Sequence, residues 1–188
     1  TPEGKAGARP DYCTITYCKI LKQLYPDVPI VIGGIEASMR RLTHYDYWQD
    51  KLLPSILVDS GADMLVYGMG EQAMKEIADR GFIHDIPQTA FLTSDKSEIP
   101  EDAIMLASHE EALRDKRKHA ENFRLMEIES NKIHQTTLVQ PVGKQWVVVN
   151  PSYPPITTEQ LDAIYDLPYQ YAPHPKYKDK HIPAYEMI

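Results

Sequence analysis

Three short, mostly apolar runs, separated by helical patterns, constrain the fold of this chain most strongly. They cover Val28–Ile32, Asp63–Gly68 and Thr89–Thr93, and a helical pattern that ends at Gly81 separates the last two. A run that is apolar throughout is typical of a strand buried on both faces of a parallel sheet. Strands that alternate with helices predict an α/β fold with right-handed crossovers and flanking helices.

The pattern changes after residue 97. Ser108 and Glu111 form a capping box, which opens a highly charged helix that we expect to reach about His134. The segments Thr137–Gln140 and Gln145–Val149 then predict an antiparallel β-hairpin.

The last part of the chain is rich in proline, because residues 151–188 contain seven of the fifteen prolines. Thr157 and Gln160 form a second capping box, for a short helix that we expect to end near Asp166. Beyond this helix the chain is predicted to be an extended strap that lies along another surface. The sequence is therefore divided into residues 1–97, 98–150 and 151–188.

Composition and charge exclude several classes of protein. The net charge of −7 argues against a nucleic-acid partner held mainly by phosphate contacts. The only two cysteines, Cys13 and Cys18, are poorly spaced for a shared metal ion or a disulfide, and so few thiols fit a reducing, cytoplasmic compartment. No apolar run approaches the ~20 residues that a membrane span requires, so we expect no membrane partner.

The first candidate binding segment follows the first predicted strand. It contains Gly33, Gly34 and Glu36, and then Arg40 and Arg41. Ligands of open α/β sheets bind at the carboxyl ends of strands, where glycines let the backbone approach a ligand and arginines supply charge for a phosphate or carboxylate. The alternative is that the glycines only make a tight turn between a strand and a helix.

The second candidate segment follows the second predicted strand and contains Gly68, Gly70 and Glu71. Its two glycines are similar to a dinucleotide fingerprint, but the third glycine of that motif is absent. A glutamate in the first turn of a helix is also favoured by the helix dipole without any ligand. If the two strands are neighbours, both glycine turns should lie at one edge of the sheet.

An aromatic segment, His44–Trp48, lies between the two candidate turns. His44 and Asp46 could form an acid–base pair, and the aromatic side chains could stack on a planar ligand. We favour a structural role, in which the aromatic side chains anchor a loop against the sheet. The sequence shows no nucleophile elbow, phosphate-binding P-loop or zinc-binding helix motif, so it offers no convincing catalytic set.

Three stretches together resemble YgiQ-like radical SAM proteins: Val28–Arg41, His44–Gly70 and Leu167–Ile188. The resemblance implies that residues 1–97 are the second half of a Rossmann-like, cobalamin-binding-like α/β domain. It also implies that residues 98–150 are an insertion and that residues 151–188 lead to a radical SAM barrel. In that barrel three cysteines would hold a four-iron cluster that binds S-adenosylmethionine.

The resemblance also bears on cofactors and partners. The cysteine loop would follow this segment, so no cofactor is expected within the chain itself, and the main partner would be the barrel of the same protein. Gly33, Gly34, Gly68, Gly70 and Glu71 match the turns that lie near the corrin in relatives with a true cobalamin domain. The Asp-x-His-x-x-Gly motif of the axial ligand is absent, which argues against cobalamin.

Three functional hypotheses follow. The chain is a non-catalytic segment of a radical SAM enzyme, an autonomous α/β module that binds a phosphate or cofactor, or a protein-interaction domain whose charged helix is its surface. The first is preferred because its motifs are specific. A segment of such a domain would expose a sheet edge, so we expect self-association or a tail that folds back over the edge.

Overall fold

A computed structural model describes residues 6–177 and 179–187 of the chain. The chain forms two compact units, Thr1–Pro154 and Pro155–Ile188. Among the described residues, no helix is long and apolar enough to cross a membrane.

The first unit contains two sheets, six α-helices and a 3₁₀ turn at Lys96–Glu98 within its described residues. Its strands are β1 (Val31–Ile32), β2 (His44–Asp46), β3 (Lys51–Leu53), β4 (Met64–Val66), β5 (Thr89–Thr93), β6 (Ile104–Met105), β7 (Leu138–Val142) and β8 (Gln145–Val149). Its helices are α1 (Cys13–Leu24), α2 (Gly34–Met39), α3 (Ile56–Ser60), α4 (Glu71–Arg80), α5 (His109–Arg114) and α6 (Lys116–Ser130).

The main sheet of the described chain has the strand order β1-β4-β5-β8-β7-β6, and β2 pairs with β3 in a separate two-stranded sheet. The pairs β1–β4 and β6–β7 are parallel. The three pairs between them, β4–β5, β5–β8 and β8–β7, are antiparallel. The α/β class with flanking helices is confirmed. The hairpin is confirmed too, and it continues the sheet by pairing with β5.

The direction of β5 differs from the prediction of a crossover to a parallel strand. The chain does not enter β5 directly after α4, because residues 81–88 first return to the carboxyl end of β4. There the backbone oxygen of Gln88 accepts a hydrogen bond from the amide of Tyr67 at 3.1 Å. Eight residues can span about 26 Å, which is enough to cancel the length of α4. The following strand must then run antiparallel to β4.

The sheet is covered on both faces, as the apolar runs predict. Leu65 packs in a cluster with Cys18 of α1, Ala37 of α2 and Leu57 of α3. The flanking residues of β4, Met64 and Val66, pack on the opposite face against Ala73 and Ile77 of α4. Alternate side chains of one strand point to opposite faces, so a fully apolar β4 requires helices on both sides.

The predicted charged helix is two helices. The capping box of Ser108 and Glu111 is confirmed and starts α5. Asp115 then adopts an extended backbone and its side chain accepts a hydrogen bond from the amide of Arg117, so it ends α5 and caps α6. A single aspartate therefore divides the segment, because its carboxylate satisfies a free amide at the start of the second helix.

The second unit is more helical than expected. The capping box of Thr157 and Gln160 is confirmed and starts α7 (Thr158–Tyr165). The prediction of a wholly extended strap beyond it was wrong, because Pro175–Tyr177 forms a 3₁₀ turn and α8 covers Pro183–Glu186. Pro183 is the first residue of α8, a position where the missing amide of proline breaks no hydrogen bond.

Candidate functional site

The two glycine turns lie side by side at one edge of the main sheet. β1 and β4 are adjacent and parallel, with Val31 opposite Met64 and Ile32 opposite Leu65. Each turn follows the carboxyl end of its strand, and the amide of Gly68 donates a hydrogen bond to the Ser38 hydroxyl at 3.3 Å. The predicted adjacency of the turns is confirmed. Their role in binding a ligand stays a prediction.

Two of the glycines are required by the packing of the edge itself. A Cβ on Gly33 would lie 3.2 Å from the backbone oxygen of Val66, which is held in β4. Gly68 has a φ of +67°, a conformation that residues with a side chain rarely adopt. A Cβ at this position would also lie 3.4 Å from the side-chain Nε2 atom of Gln88. The glycines therefore allow β1 and β4 to end close together. The other predicted residues of this turn, Gly70 and Glu71, are the N-cap and the exposed first residue of α4.

Glu36 and Arg40 are engaged with each other and with neighbouring elements. The Glu36 carboxylate accepts hydrogen bonds from Thr14 Oγ1 at 2.7 Å, Cys13 Sγ at 3.2 Å and Arg40 Nη1 at 3.1 Å. Arg40 Nη2 also lies 3.8 Å from Asp46 Oδ2. The two predicted site residues thus join the start of α1 to α2 and β2, and the charge of Arg40 is largely neutralised.

Asp46 is the buried centre of this network, and the sequence did not single it out as an arginine partner. Its side chain is fully buried, and Oδ1 accepts hydrogen bonds from Tyr12 Oη at 3.0 Å and from the amide of Gln49 at 2.8 Å. Burial opposes ionisation, but these hydrogen bonds and the nearby Arg40 outweigh it, so the pKa of Asp46 lies below its ordinary value. The proposed acid–base pair with His44 is not hydrogen-bonded.

Arg41 lies against an aromatic ring beneath the edge. Its guanidinium is 5.0 Å from the centre of the Tyr67 ring, and Nη1 donates to the Ser38 backbone oxygen at 2.6 Å. Burial lowers the pKa of Arg41, and its Nε atom is buried without a hydrogen-bond partner among the described residues. Burial also raises the pKa of the Tyr67 hydroxyl to about 12. Arg41 therefore contributes packing as well as charge.

A polar network that sequence reasoning missed supports the second glycine turn from below. The side-chain amide of Gln88 donates a hydrogen bond to the backbone oxygen of Met69. The backbone N–H of Gln88 donates to the backbone oxygen of Pro151 at 2.7 Å. The Tyr67 hydroxyl donates to the Asn150 backbone oxygen. These contacts join residues far apart in sequence, so no local pattern could have indicated them.

Apolar side chains are exposed beside the turns. Ile35 and Met39 lie one helical turn apart on α2 and are 80% and 73% exposed, and Met69 in the second turn is also exposed. The aromatic segment is exposed as well, with Tyr47 at 77% and Trp48 at 82%. The prediction that these aromatic rings anchor a loop against the sheet was wrong, because Tyr47 and Trp48 lie exposed in the turn of the β2–β3 hairpin. Of the same segment, Asp46 is buried and His44 is partly buried.

The chain's own residues do not fit an iron–sulfur cluster. A four-iron cluster needs three or four thiolates, and the sequence contains two cysteines. The Cys13 thiol donates a hydrogen bond to the Glu36 carboxylate. Cys18 lies in the core, where burial raises the pKa of its thiol. Across residues 6–177 and 179–187, no three His, Cys, Asp or Glu side chains are grouped to hold a metal ion.

The main sheet has helices on both faces, and two glycine turns lie together at the carboxyl ends of β1 and β4. These features define a Rossmann-like α/β domain. The model of the Radical SAM N-terminal family matches residues 1–188. The chain therefore belongs to the Radical SAM N-terminal family, and its resemblance to YgiQ-like proteins is confirmed at the level of the family.

Curated relatives carry the name UPF0313 protein. The chain is 54% identical to the one from Porphyromonas gingivalis, with 100% of the chain and 31% of the relative covered. It is 51% identical to the one from Bacteroides thetaiotaomicron, of which it covers 33%, and 44% identical to GSU2873 of Geobacter sulfurreducens, of which it covers 32%. The chain thus spans about a third of the length of these relatives. No solved structure matches the chain.

Proposed function

We propose that this chain is a non-catalytic domain of a cytoplasmic radical SAM enzyme, whose cluster and S-adenosylmethionine are bound by polypeptide outside it. Membership of the Radical SAM N-terminal family supports the enzyme class. The relatives are about three times as long as the chain, which leaves room for a catalytic domain. Two free cysteines fit a reducing compartment and are too few for the cluster.

The glycine-rich edge is proposed to face that catalytic domain. The observation that carries this proposal is the combination of two adjacent glycine turns with three exposed apolar side chains, those of Ile35, Met39 and Met69. Glycines allow a close approach of another surface to the backbone. Exposed apolar side chains that cluster at one place are typical of interaction sites.

An autonomous phosphate-binding module fits these contacts less well. Such a site needs an available cation, but Arg40 is paired with Glu36 and lies near Asp46. Arg41 is partly buried, and its guanidinium lies over the Tyr67 ring. The chain's charge of −7 also disfavours an anionic ligand.

The test uses the full-length protein after anaerobic reconstitution with iron and sulfide. Formation of 5′-deoxyadenosine from S-adenosylmethionine is measured for the parent, for Met39→Glu and for Phe123→Glu. Phe123 is the matched control because it is an exposed apolar residue on α6. We expect cluster assembly in all three proteins, and a loss of about tenfold in 5′-deoxyadenosine formation only in Met39→Glu, because a charge would be buried at the interface.

The outcomes separate the two parts of the proposal. A full-length protein that binds no cluster contradicts the radical SAM assignment. If the cluster forms and Met39→Glu is as active as Phe123→Glu, the assignment stands, but the glycine-rich edge does not face the catalytic domain.

A further inference from the structure

α1 has an apolar stripe on the side that does not contact the sheet. Tyr17, Ile20, Leu21 and Leu24 follow one another at helical spacing, and each is more than 40% exposed, with Leu24 at 64%. The buried side of the same helix is formed by Ile15 and Cys18, which pack in the core. A helix on the surface of a finished domain normally presents polar residues to water, so a second apolar side indicates a second packing partner.

Ile20 borders a groove beside α1, and the other three stripe residues are directed away from that groove. α3 packs beside α1, and Thr16, Lys19 and Gln23 of α1 line a groove whose opposite wall includes Leu53 and Asp59. At 100° per residue, Tyr17, Leu21 and Leu24 lie on the other side of the helix axis from Lys19 and Gln23. They therefore lie on the side of α1 away from this groove.

β1, whose Ile32 packs in the same core cluster as Cys18 of α1, is an edge strand of the main sheet. The backbone oxygen of Ile30 accepts a hydrogen bond from the amide of Met64 at 3.3 Å, and the parallel register pairs Ile32 with Leu65. Successive residues of a strand direct their backbone groups to opposite sides, so the N–H and C=O of Val31 point away from β4. Among the described residues, neither group has a hydrogen-bond partner. An unpaired strand edge is a template for a further strand.

We propose that β1 and the apolar stripe of α1 together form a docking surface for a further β-strand of the full-length protein. That strand would bond to the N–H and C=O of Val31, and its apolar side chains would cover Leu21 and Leu24. The occupant is polypeptide outside this chain, because the relatives are about three times as long as the part matched here. A second copy of this chain is the alternative occupant, and the experiment below separates the two.

Hydrogen exchange followed by mass spectrometry tests this proposal on the full-length protein and the 188-residue chain. Peptides that cover residues 17–25 and 28–33 are compared at several protein concentrations. We expect exchange in residues 28–33 to be slower by at least about 100-fold in the full-length protein than in the chain, at every concentration. Peptides across β7 and β8 are the control, and their exchange should change by less than about threefold because both strands are already paired.

Two outcomes would overturn the proposal. Equal exchange of residues 28–33 in both proteins would mean that the edge stays open. Slower exchange that appears only at high concentration, together with a doubled mass in light scattering, would assign the surface to a second copy.

A pair of substitutions gives an independent readout. Leu24→Glu should lower the melting temperature of the full-length protein by several degrees and leave that of the chain nearly unchanged, whereas Gln23→Glu should affect neither. A full-length Leu24→Glu protein as stable as Gln23→Glu would contradict the covering of the stripe. The exchange measurement needs no substitution and remains decisive if Leu24→Glu does not fold.

Discussion

Asn150, at the end of β8, holds the loop that reverses the direction of β5. Its side-chain amide nitrogen lies 2.7 Å from the backbone oxygen of His84, 2.9 Å from that of Ile86 and 3.1 Å from Thr89 Oγ1. All three acceptors belong to the segment that leads from α4 into β5. We expect Asn150→Ala to destabilise the first unit markedly.

The size of this effect can be worked out from the contacts. An amide nitrogen has two hydrogens, so the three contacts amount to two full hydrogen bonds, worth about 1 kcal/mol each. Removal of the donor also leaves the partly buried oxygen of His84 without this partner, at an additional cost of about 1 kcal/mol, whereas the Ile86 oxygen keeps its hydrogen bond from Thr89 Oγ1. The expected loss is about 3 kcal/mol, a decrease of roughly 150-fold in the folding equilibrium constant.

Urea unfolding of the parent chain and of two variants measures this loss. The matched control is Asn131→Ala, because the Asn131 side chain donates one hydrogen bond, to the Glu127 oxygen at 2.7 Å, and is exposed. The control should lose no more than about 1 kcal/mol. If Asn150→Ala loses less than about 1 kcal/mol, or no more than the control, the buried amide does not hold the loop and the explanation of the strand reversal fails.

Two further predictions concern the candidate site. Gly68→Ala should destabilise the chain by about 1–2 kcal/mol in the same assay, because alanine is strained at a φ of +67°; equal stability would show that the turn readily adopts another conformation. Asp46→Asn should destabilise the chain at pH 7 but not at low pH, as followed by urea unfolding at several pH values. The folded-state pKa of Asp46 is lowered, so its ionisation stabilises the fold above the unfolded value of about 3.9 and ceases to do so as the pH falls through the folded value. A difference between Asp46→Asn and the parent that persists unchanged below about pH 2 would contradict this assignment.

Local signals predicted the elements well. The apolar runs became β1, β4 and β5, although β1 is confined to Val31–Ile32 because Pro29 has no amide to donate to a strand pair. Both capping boxes start helices, since the side chain and the amide that it caps are only three residues apart. Glycine also marks the end of α4 at Gly81, as predicted.

Strand direction and side-chain partners could not be read from local patterns. The reversal of β5 depends on the hydrogen bond between the Tyr67 amide and the Gln88 oxygen, and on the hydrogen bonds from the Asn150 side chain to residues 84–89. In each of these contacts the two partners lie tens of residues apart in the sequence. The neutralisation of Arg40 likewise depends on Glu36 and on Asp46 of another element. A sequence shows that an arginine follows a glycine turn, but not whether a buried carboxylate already holds it.

These contacts change what the glycine-rich edge can recognise. Glycines with nearby arginines suggested a site for an anion, but Arg40 is paired and Arg41 is partly buried against Tyr67. The side chains of Ile35 and Met39 are exposed at this edge. The chain as a whole has a net charge of −7. An apolar edge within an acidic chain favours contact with a neutral or basic surface over a phosphate. These contacts support the proposal that the edge faces a neighbouring domain, to which the glycines would allow a close approach.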